Sequence, residues 1–136
     1  MRTLLVALLA AAVAPAIAEA KSSKGSTLIR VANDGSDILA VIVDDNSGVL
    51  DQGSTLSASQ FFRAGGRLIG PGGITVFSVK KGTHTVTGAY ILDIGSTFTI
   101  GASSSTTATT TRNGQTVTVT ATEDIDGGAV LTSSSP

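Results

Sequence analysis

His84 is the chain's single histidine, and cysteine is absent. Zinc or copper needs several nitrogen or sulfur ligands, and a histidine triad needs a nucleophile and an orienting acid. Standing beside the turn signal Lys80-Lys81-Gly82, His84 reads as a rim residue. Ser78-Val79-Lys80-Lys81 has the bare Ser-x-x-Lys spacing of serine acyl-transfer enzymes but none of their further motifs. The segment from Gly65 to Gly73 would have to lead into a helix to cradle a phosphate. Ile74-Thr75-Val76-Phe77 follows instead, which is strand material, so these glycines read as turn residues. Two acidic groups offer oxygens for calcium: Asp44-Asp45 with Asn46 and Asp51, and Glu123-Asp124 with Asp126. Calcium takes about six to eight oxygens at one point. Neither group follows the EF-hand pattern, so Asp44, Asp45, Asp124 and Asp126 are calcium candidates only if separate loops converge; otherwise they are solvated turn acids. A carboxylate pair could also serve glycoside hydrolysis, but nothing else assembles an active site. The expectation is a non-enzyme without a cofactor.

The remaining candidate is made of hydroxyls. Ser105 to Thr122 is rich in threonine and contains Asn113-Gly114, the preferred pair for a two-residue type I′ hairpin turn. Folding there predicts the pairs Thr111/Thr116, Thr109/Thr118, Thr107/Thr120 and Ser105/Thr122 on one face. Thr110/Val117, Ala108/Val119 and Thr106/Ala121 take the other, core-facing side. Across such a ladder the threonines would stand ~4.5–5.5 Å apart and repeat every ~6.8 Å along each strand. That lattice resembles the threonine arrays of β-structured ice-binding proteins. Thr107, Thr109, Thr111, Thr116, Thr118, Thr120 and Thr122 are therefore the binding candidates. The competing explanation is that β-branched threonine simply suits a solvent-facing strand.

The elements that must position these residues come after an export address. Met1-Arg2 starts the chain, Leu4 to Ala14 is an uninterrupted apolar run, and Pro15 breaks it before Ala16-Ile17-Ala18 and Ala18-Glu19-Ala20. This is the layout of a secretory signal peptide over residues 1–20, cleaved after Ala18 or Ala20; the run is too short for a membrane span. Without cysteine, no bacterial lipoprotein anchor can form. The expected localisation is secreted or periplasmic, with no membrane insertion of the mature chain. Removing residues 1–20 takes Arg2 from nine basic residues and Glu19 from ten acidic ones. A near-neutral balance gives no electrostatic case for nucleic acid. An exported domain without disulfides must be held by sheet pairing and a core alone.

Residues 21–26 read as a flexible leader, 27–132 as one domain and 133–136 as a tail. Strand and turn signals recur at the spacing of an all-β domain. Leu28 to Asn33, the Asp34-Gly35 turn and Ile38 to Val43 predict a type I′ hairpin. The unbroken apolar run Ile38 to Val43 suits a central strand covered on both faces. Asp44 to Ser57 is loop-like, and Leu56 to Arg63 fits either a strand or a short helix. Ile74 to Val79 and Thr83 to Tyr90 predict another hairpin around Lys80-Lys81-Gly82. Ile91 to Ile100 alternates cleanly, placing Leu92, Ile94, Phe98 and Ile100 on one face, with Gly95 marking a bulge or bend. Ala129 to Thr132 adds an edge strand. The prediction is a single antiparallel β-sandwich of about seven to nine strands.

Pro71-Gly72-Gly73, Phe77-Ser78-Val79, Gly82-Thr83-His84-Thr85-Val86 and Tyr90 together resemble the end of PEGA-type or immunoglobulin-like modules of bacterial exported proteins. The resemblance covers about a fifth of the mature chain, and the glycine-tyrosine pair of such modules is absent, since Ala89 precedes Tyr90. It implies an immunoglobulin-like sandwich serving as a surface, matrix or envelope accessory, with no catalytic residues to carry over. The expected partner is a protein or glycan, or another copy of the chain, because residues 113–122 carry no charge to block edge pairing. Expressed with its own leader, the protein is expected outside the cytoplasm with Glu19 or Lys21 as its first residue, read by amino-terminal sequencing; a cytoplasmic product still beginning at Met1 contradicts the export reading.

Overall fold

The computed structural model describes residues 26–52 and 54–134. The predicted signal peptide, all of the leader but Ser26, and residues 135–136 of the predicted tail lie outside the described residues. The elements are β1 (Ser26–Asn33), β2 (Leu39–Val43), β3 (Thr55–Ser57), α1 (Ala58–Arg63), β4 (Arg67–Ile69), β5 (Ile74–Lys80), β6 (Gly82–Ile94), β7 (Thr97–Ile100), β8 (Ser104–Thr110), β9 (Thr116–Glu123) and β10 (Ala129–Ser134). The chain is all-β, with more strands than predicted because β3 and β4 are separate three-residue strands. The uncertain stretch around Leu56 is both things in turn: β3, then α1 capped by the Ser57 hydroxyl, which accepts from the Gln60 N–H.

Two sheets pack on each other. Sheet I has the order β10-β9-β1-β5; sheet II has β3-β7-β6-β2-β4, with β8 also paired to β6. Pairing is antiparallel except between β1 and β9, which run parallel. Between the sheets lies a core of Ile29, Val31, Val41, Phe77, Val86, Tyr90, Val117, Val119 and Leu131. A second core lies on the far side of sheet II, where Leu50 and Phe61 cover Ala40, Ile42, Leu56, Leu68, Ala89, Ile91, Phe98 and Ile100. The expected double burial of β2 is therefore correct: Leu39, Ala40, Val41 and Ile42 are all fully buried. Phe61 and Phe98 meet edge to face at 5.5 Å, a favoured aromatic geometry that fixes α1 onto the sheet.

The three predicted hairpins are not hairpins. β1 and β2, β5 and β6, and β8 and β9 each lie in different sheets, so the chain crosses the sandwich at every one of those turns. At Asn113-Gly114, only Gly114 has positive φ (74°), and the Gln115 N–H donates to the Arg112 carbonyl at 3.1 Å. That is the sign pattern of a type II turn, which splays its flanking strands where a type I′ turn would keep them paired. Gly35 does not have positive φ either, so Asp34-Gly35 is also not type I′. The expected face alternation nevertheless holds: Ala108, Thr110, Val117, Val119 and Ala121 are buried, while Thr107, Thr109 and Thr122 are exposed. Gly95 with Ser96 forms the turn of a real hairpin between β6 and β7, and the bulge falls earlier, between Ile91 and Asp93. This break leaves Leu92 65% exposed, off the face it was expected to share with Phe98 and Ile100.

The corner after β1 is held by Asn33, which is completely buried. Its Nδ2 donates to the carbonyls of Asp37 (2.8 Å), Ile69 (2.9 Å) and Gly70 (3.2 Å). Its Oδ1 accepts from the Gly35 N–H and the Tyr90 hydroxyl, each at 2.9 Å. Burial and then the charge of Glu123 push the Tyr90 phenol up to about 12, so it stays a donor. A Cβ on residue 35 would stand 2.4 Å from the Tyr90 oxygen, so glycine is required there for close approach. Asn33→Ala would strip partners from several groups at once, at about 1–3 kcal/mol for each that stays buried and dry. The expected loss in urea unfolding is therefore at least about 2 kcal/mol, and a loss below about 0.5 kcal/mol, the ordinary surface range, would show that Asn33 is not the anchor.

Candidate functional site

His84 and Asp44 are brought together although forty positions separate them. β2 ends at Val43, paired with Val86, and Asp44 continues the ladder: its N–H donates to the Thr85 carbonyl at 2.7 Å. Asp44 then turns the chain away with φ 56°, a left-handed conformation that Asp tolerates better than most residues. Its Oδ1 accepts from the Thr85 N–H at 3.0 Å, and its Oδ2 lies 2.6 Å from His84 Nδ1. The other ring nitrogen, Nε2, lies 2.7 Å from the Lys80 carbonyl oxygen. A carbonyl only accepts, so Nε2 carries a proton; an ionised carboxylate only accepts, so Nδ1 carries one too.

The clasp is thus an imidazolium between two acceptors. Burial works against the charged ring, but the hydrogen bond to Asp44, the Lys80 carbonyl and the Asp44 charge outweigh it and raise the His84 pKa. For Asp44, burial likewise opposes ionisation, while the His84 hydrogen bond, the Thr85 N–H and the His84 charge lower its pKa. A histidine with both nitrogens engaged has no lone pair with which to take a proton from a nucleophile. The pair instead ties the loop after β2 to the corner between β5 and β6. The hydroxyl of Thr110 supports the same corner, accepting from the Gly82 N–H at 3.1 Å and lying 3.3 Å from the Lys80 carbonyl.

The acids proposed for calcium shape their own loops. Asp45 accepts from the N–H groups of Val49 and Leu50, one on each oxygen, both at 2.9 Å. Asp124 Oδ1 accepts from Asp126 N–H at 2.9 Å and Gly128 N–H at 2.8 Å. Glu123 reaches across to Ser36; the Ser36 N–H chiefly holds this carboxylate below its ordinary range against the opposing effect of burial, with the Ser36 hydroxyl and Asp37 adding to it. Among the described residues, no three His, Asp or Glu side chains converge as a metal site would require.

The threonine array does not form as a two-stranded lattice, because β8 and β9 belong to opposite sheets. Thr107 and Thr109 face outward from sheet II, opposite Thr85 and Thr83 on β6; the Thr83 and Thr109 hydroxyls stand 3.4 Å apart. Thr87 and Ser105 extend that row with a hydroxyl contact of 2.8 Å. Thr111 lies beyond β8, where its N–H and hydroxyl donate to the Gln115 side-chain oxygen and cap the turn. Thr116, Thr118, Thr120 and Thr122 lie on the outer side of sheet I, beside Leu28, Arg30, Ala32, Val130, Thr132 and Ser134. No described element packs on that side, whereas the outer side of sheet II is roofed by a second core everywhere but along β8 and the part of β6 paired with it. Sequence reasoning missed Asn33, Gln115 and Thr110; a polar residue directly before a turn signal was the available hint for Asn33.

No family model matches the chain, and no curated protein matches its sequence.

The clasp has a defined pH window. A raised histidine contributes stability that is complete below its ordinary value, 6.5, and is lost as pH rises through the folded value. A lowered aspartate contributes stability that is complete above 3.8 and is lost as pH falls through its folded value. The stability difference between wild type and His84→Gln should therefore be greatest between these two values and shrink on the alkaline side. Urea midpoints for both proteins at about pH 5 and about pH 9 test it; an equal difference at both would contradict the doubly protonated ring.

Proposed function

We propose that this protein is an exported, non-catalytic β-sandwich that works by presenting a surface, as an accessory or binding module of the cell surface, matrix or envelope. The observation that carries the reading is the asymmetry of the sandwich. Over β2, β4, β7 and the C-terminal part of β6, sheet II buries its outer side under α1 and the loop after β2. That area is spent on stability, which leaves the Thr83, Thr85, Thr107 and Thr109 row open. Sheet I leaves its outer side open, paved by Thr116, Thr118, Thr120 and Thr122 with Leu28, Arg30 and Ala32 alongside. Short hydroxyl side chains on a rigid sheet lose little conformational entropy when a partner docks, which suits recognition of a protein or glycan. The distribution of polar work also supports it: His84, Asp44, Asp45, Asp124 and Asn33 each hold a corner or loop.

An immunoglobulin-like kinship belongs to this proposal and is supported by two packed, mostly antiparallel sheets. The secretory leader is part of it as well and rests on the sequence of residues 1–20.

The test compares three immobilised proteins against envelope and culture-medium fractions: wild type, Thr118→Glu/Thr120→Glu on sheet I, and Thr107→Glu on sheet II. Wild type and the sheet II variant are expected to retain the same partner, and the sheet I variant to lose it. Equal retention by all three would remove sheet I as the binding surface.

A further inference from the structure

The strand registers give the sandwich two chemically unlike ends. Ser26 pairs with Lys80, the Gly114 N–H donates to the Ser26 carbonyl, and Gly82 pairs with Thr110. Lys80, Lys81 and Arg112 therefore gather at one end, with the protonated His84. The acids there are Asp44, held by His84, and Asp45, held by backbone N–H groups. At the other end stand the corner after β1, the β6–β7 turn and the β9–β10 turn. These segments, residues 34–38, 91–96 and 121–128, contain Asp34, Asp37, Asp93, Glu123, Asp124 and Asp126 and no Lys or Arg.

Each end also carries an apolar feature. At the acidic end Ile125 is 100% exposed between Asp124 and Asp126, and exposed Leu92 flanks the same turn across Gly101. A fully exposed isoleucine at the tip of a turn gains nothing for this fold. Toward the basic end, a groove of about 290 Å³ opens between the free edge of β5 and strand β4. Val43, Phe77 and Val79 supply its apolar lining, Ser78 its exposed strand edge, and Gly65 and the Asp44 carboxylate, which His84 engages, complete it. Arg67 stands at its rim with the guanidinium carbon 4.6 Å from the Phe77 ring centre and Nη1 donating to the Val76 carbonyl. Lys80 and Lys81 follow directly along β5.

We propose that copies of this chain associate head to tail, with Ile125 of one seated in the β4–β5 groove of the next. Asp124 and Asp126 then face Arg67, Lys80 and Lys81. The occupant is a second copy because knob and groove, and acid and base, are both supplied by one surface. Since the two patches sit at different ends, the contact is heterologous, and repeating it builds an open chain rather than a closed dimer. The edges agree with an end-on contact. Ser133 donates to the Thr107 carbonyl and Ala129 to the Ala102 carbonyl, closing β10 against the β8 side, while Arg67 blunts β5. This association does not depend on the surface-module role.

Sedimentation velocity on the purified protein tests it. The weight-average mass should rise with concentration at about 20 mM salt and fall toward monomer at about 0.5 M, where charge attraction is screened within a few ångströms. Ile125→Asp should weaken association about tenfold or more, since it removes the buried apolar side chain. Asp126→Lys and Lys80→Glu/Lys81→Glu should each abolish it alone, and mixing those two variants should restore it. All of these positions are exposed, and circular dichroism confirms the fold of each variant. A monomer at every concentration and salt overturns the proposal. So does association that survives Ile125→Asp, or one that the mixture fails to restore.

Discussion

Everything in this fold hangs on the corner that Asn33 holds. One buried amide side chain ties β1 to the start of β2, to the end of β4 and to Tyr90 of β6. An amide is the side chain that fits, because the site asks for donors and acceptors at once. A carboxylate would have nothing to donate to the carbonyls of Ile69 and Gly70; an aliphatic residue would take a partner from five polar groups at once. The corner decides that the chain leaving sheet I enters sheet II instead of folding back beside β1. Gly35 and Tyr90 then follow as necessities, one lacking a side chain so that the other can approach.

The class of fold and the inward faces were legible because both depend on local alternation. Alternation along Ser105 to Thr122 identified the inner residues of β8 and β9, and the unbroken run of β2 announced a strand covered on both sides. Pairing was not legible for a specific physical reason. A turn signal such as Asp-Gly, Asn-Gly or Lys-Lys-Gly says that the chain reverses, but the plane of reversal depends on φ at a residue that can adopt either sign. At Asn113 the sign is negative, and the flanking strands part into two sheets. Long-range partners, such as β9 beside β1, leave no trace at short range.

The candidate site was legible in the same partial way. His84 was visible as a lone histidine near a turn, but Asp44 belongs to a loop forty positions earlier, and only the β2–β6 register brings the two together. The threonines were found on the correct outward faces and assigned to the wrong neighbours. Thr109 has Thr83 opposite it, and Thr118 has Arg30. A motif drawn from a single segment overlooks that a sheet surface is woven from strands distant in sequence.

The placement of β1 has a consequence for how the molecule comes into being. Its neighbours are β5, about fifty positions later, and β9, nearly ninety positions later. Contacts of such separation must close large loops before any burial repays them, so β1 waits for most of the strands that follow it. Sheet I has no subset of early strands that could form a stable ribbon by itself: β5 leaves β1 with one edge bare until β9 arrives. For a chain that is to cross a membrane unfolded, as proposed, the topology itself supplies the delay, keeping the polypeptide threadable until its far end has been delivered.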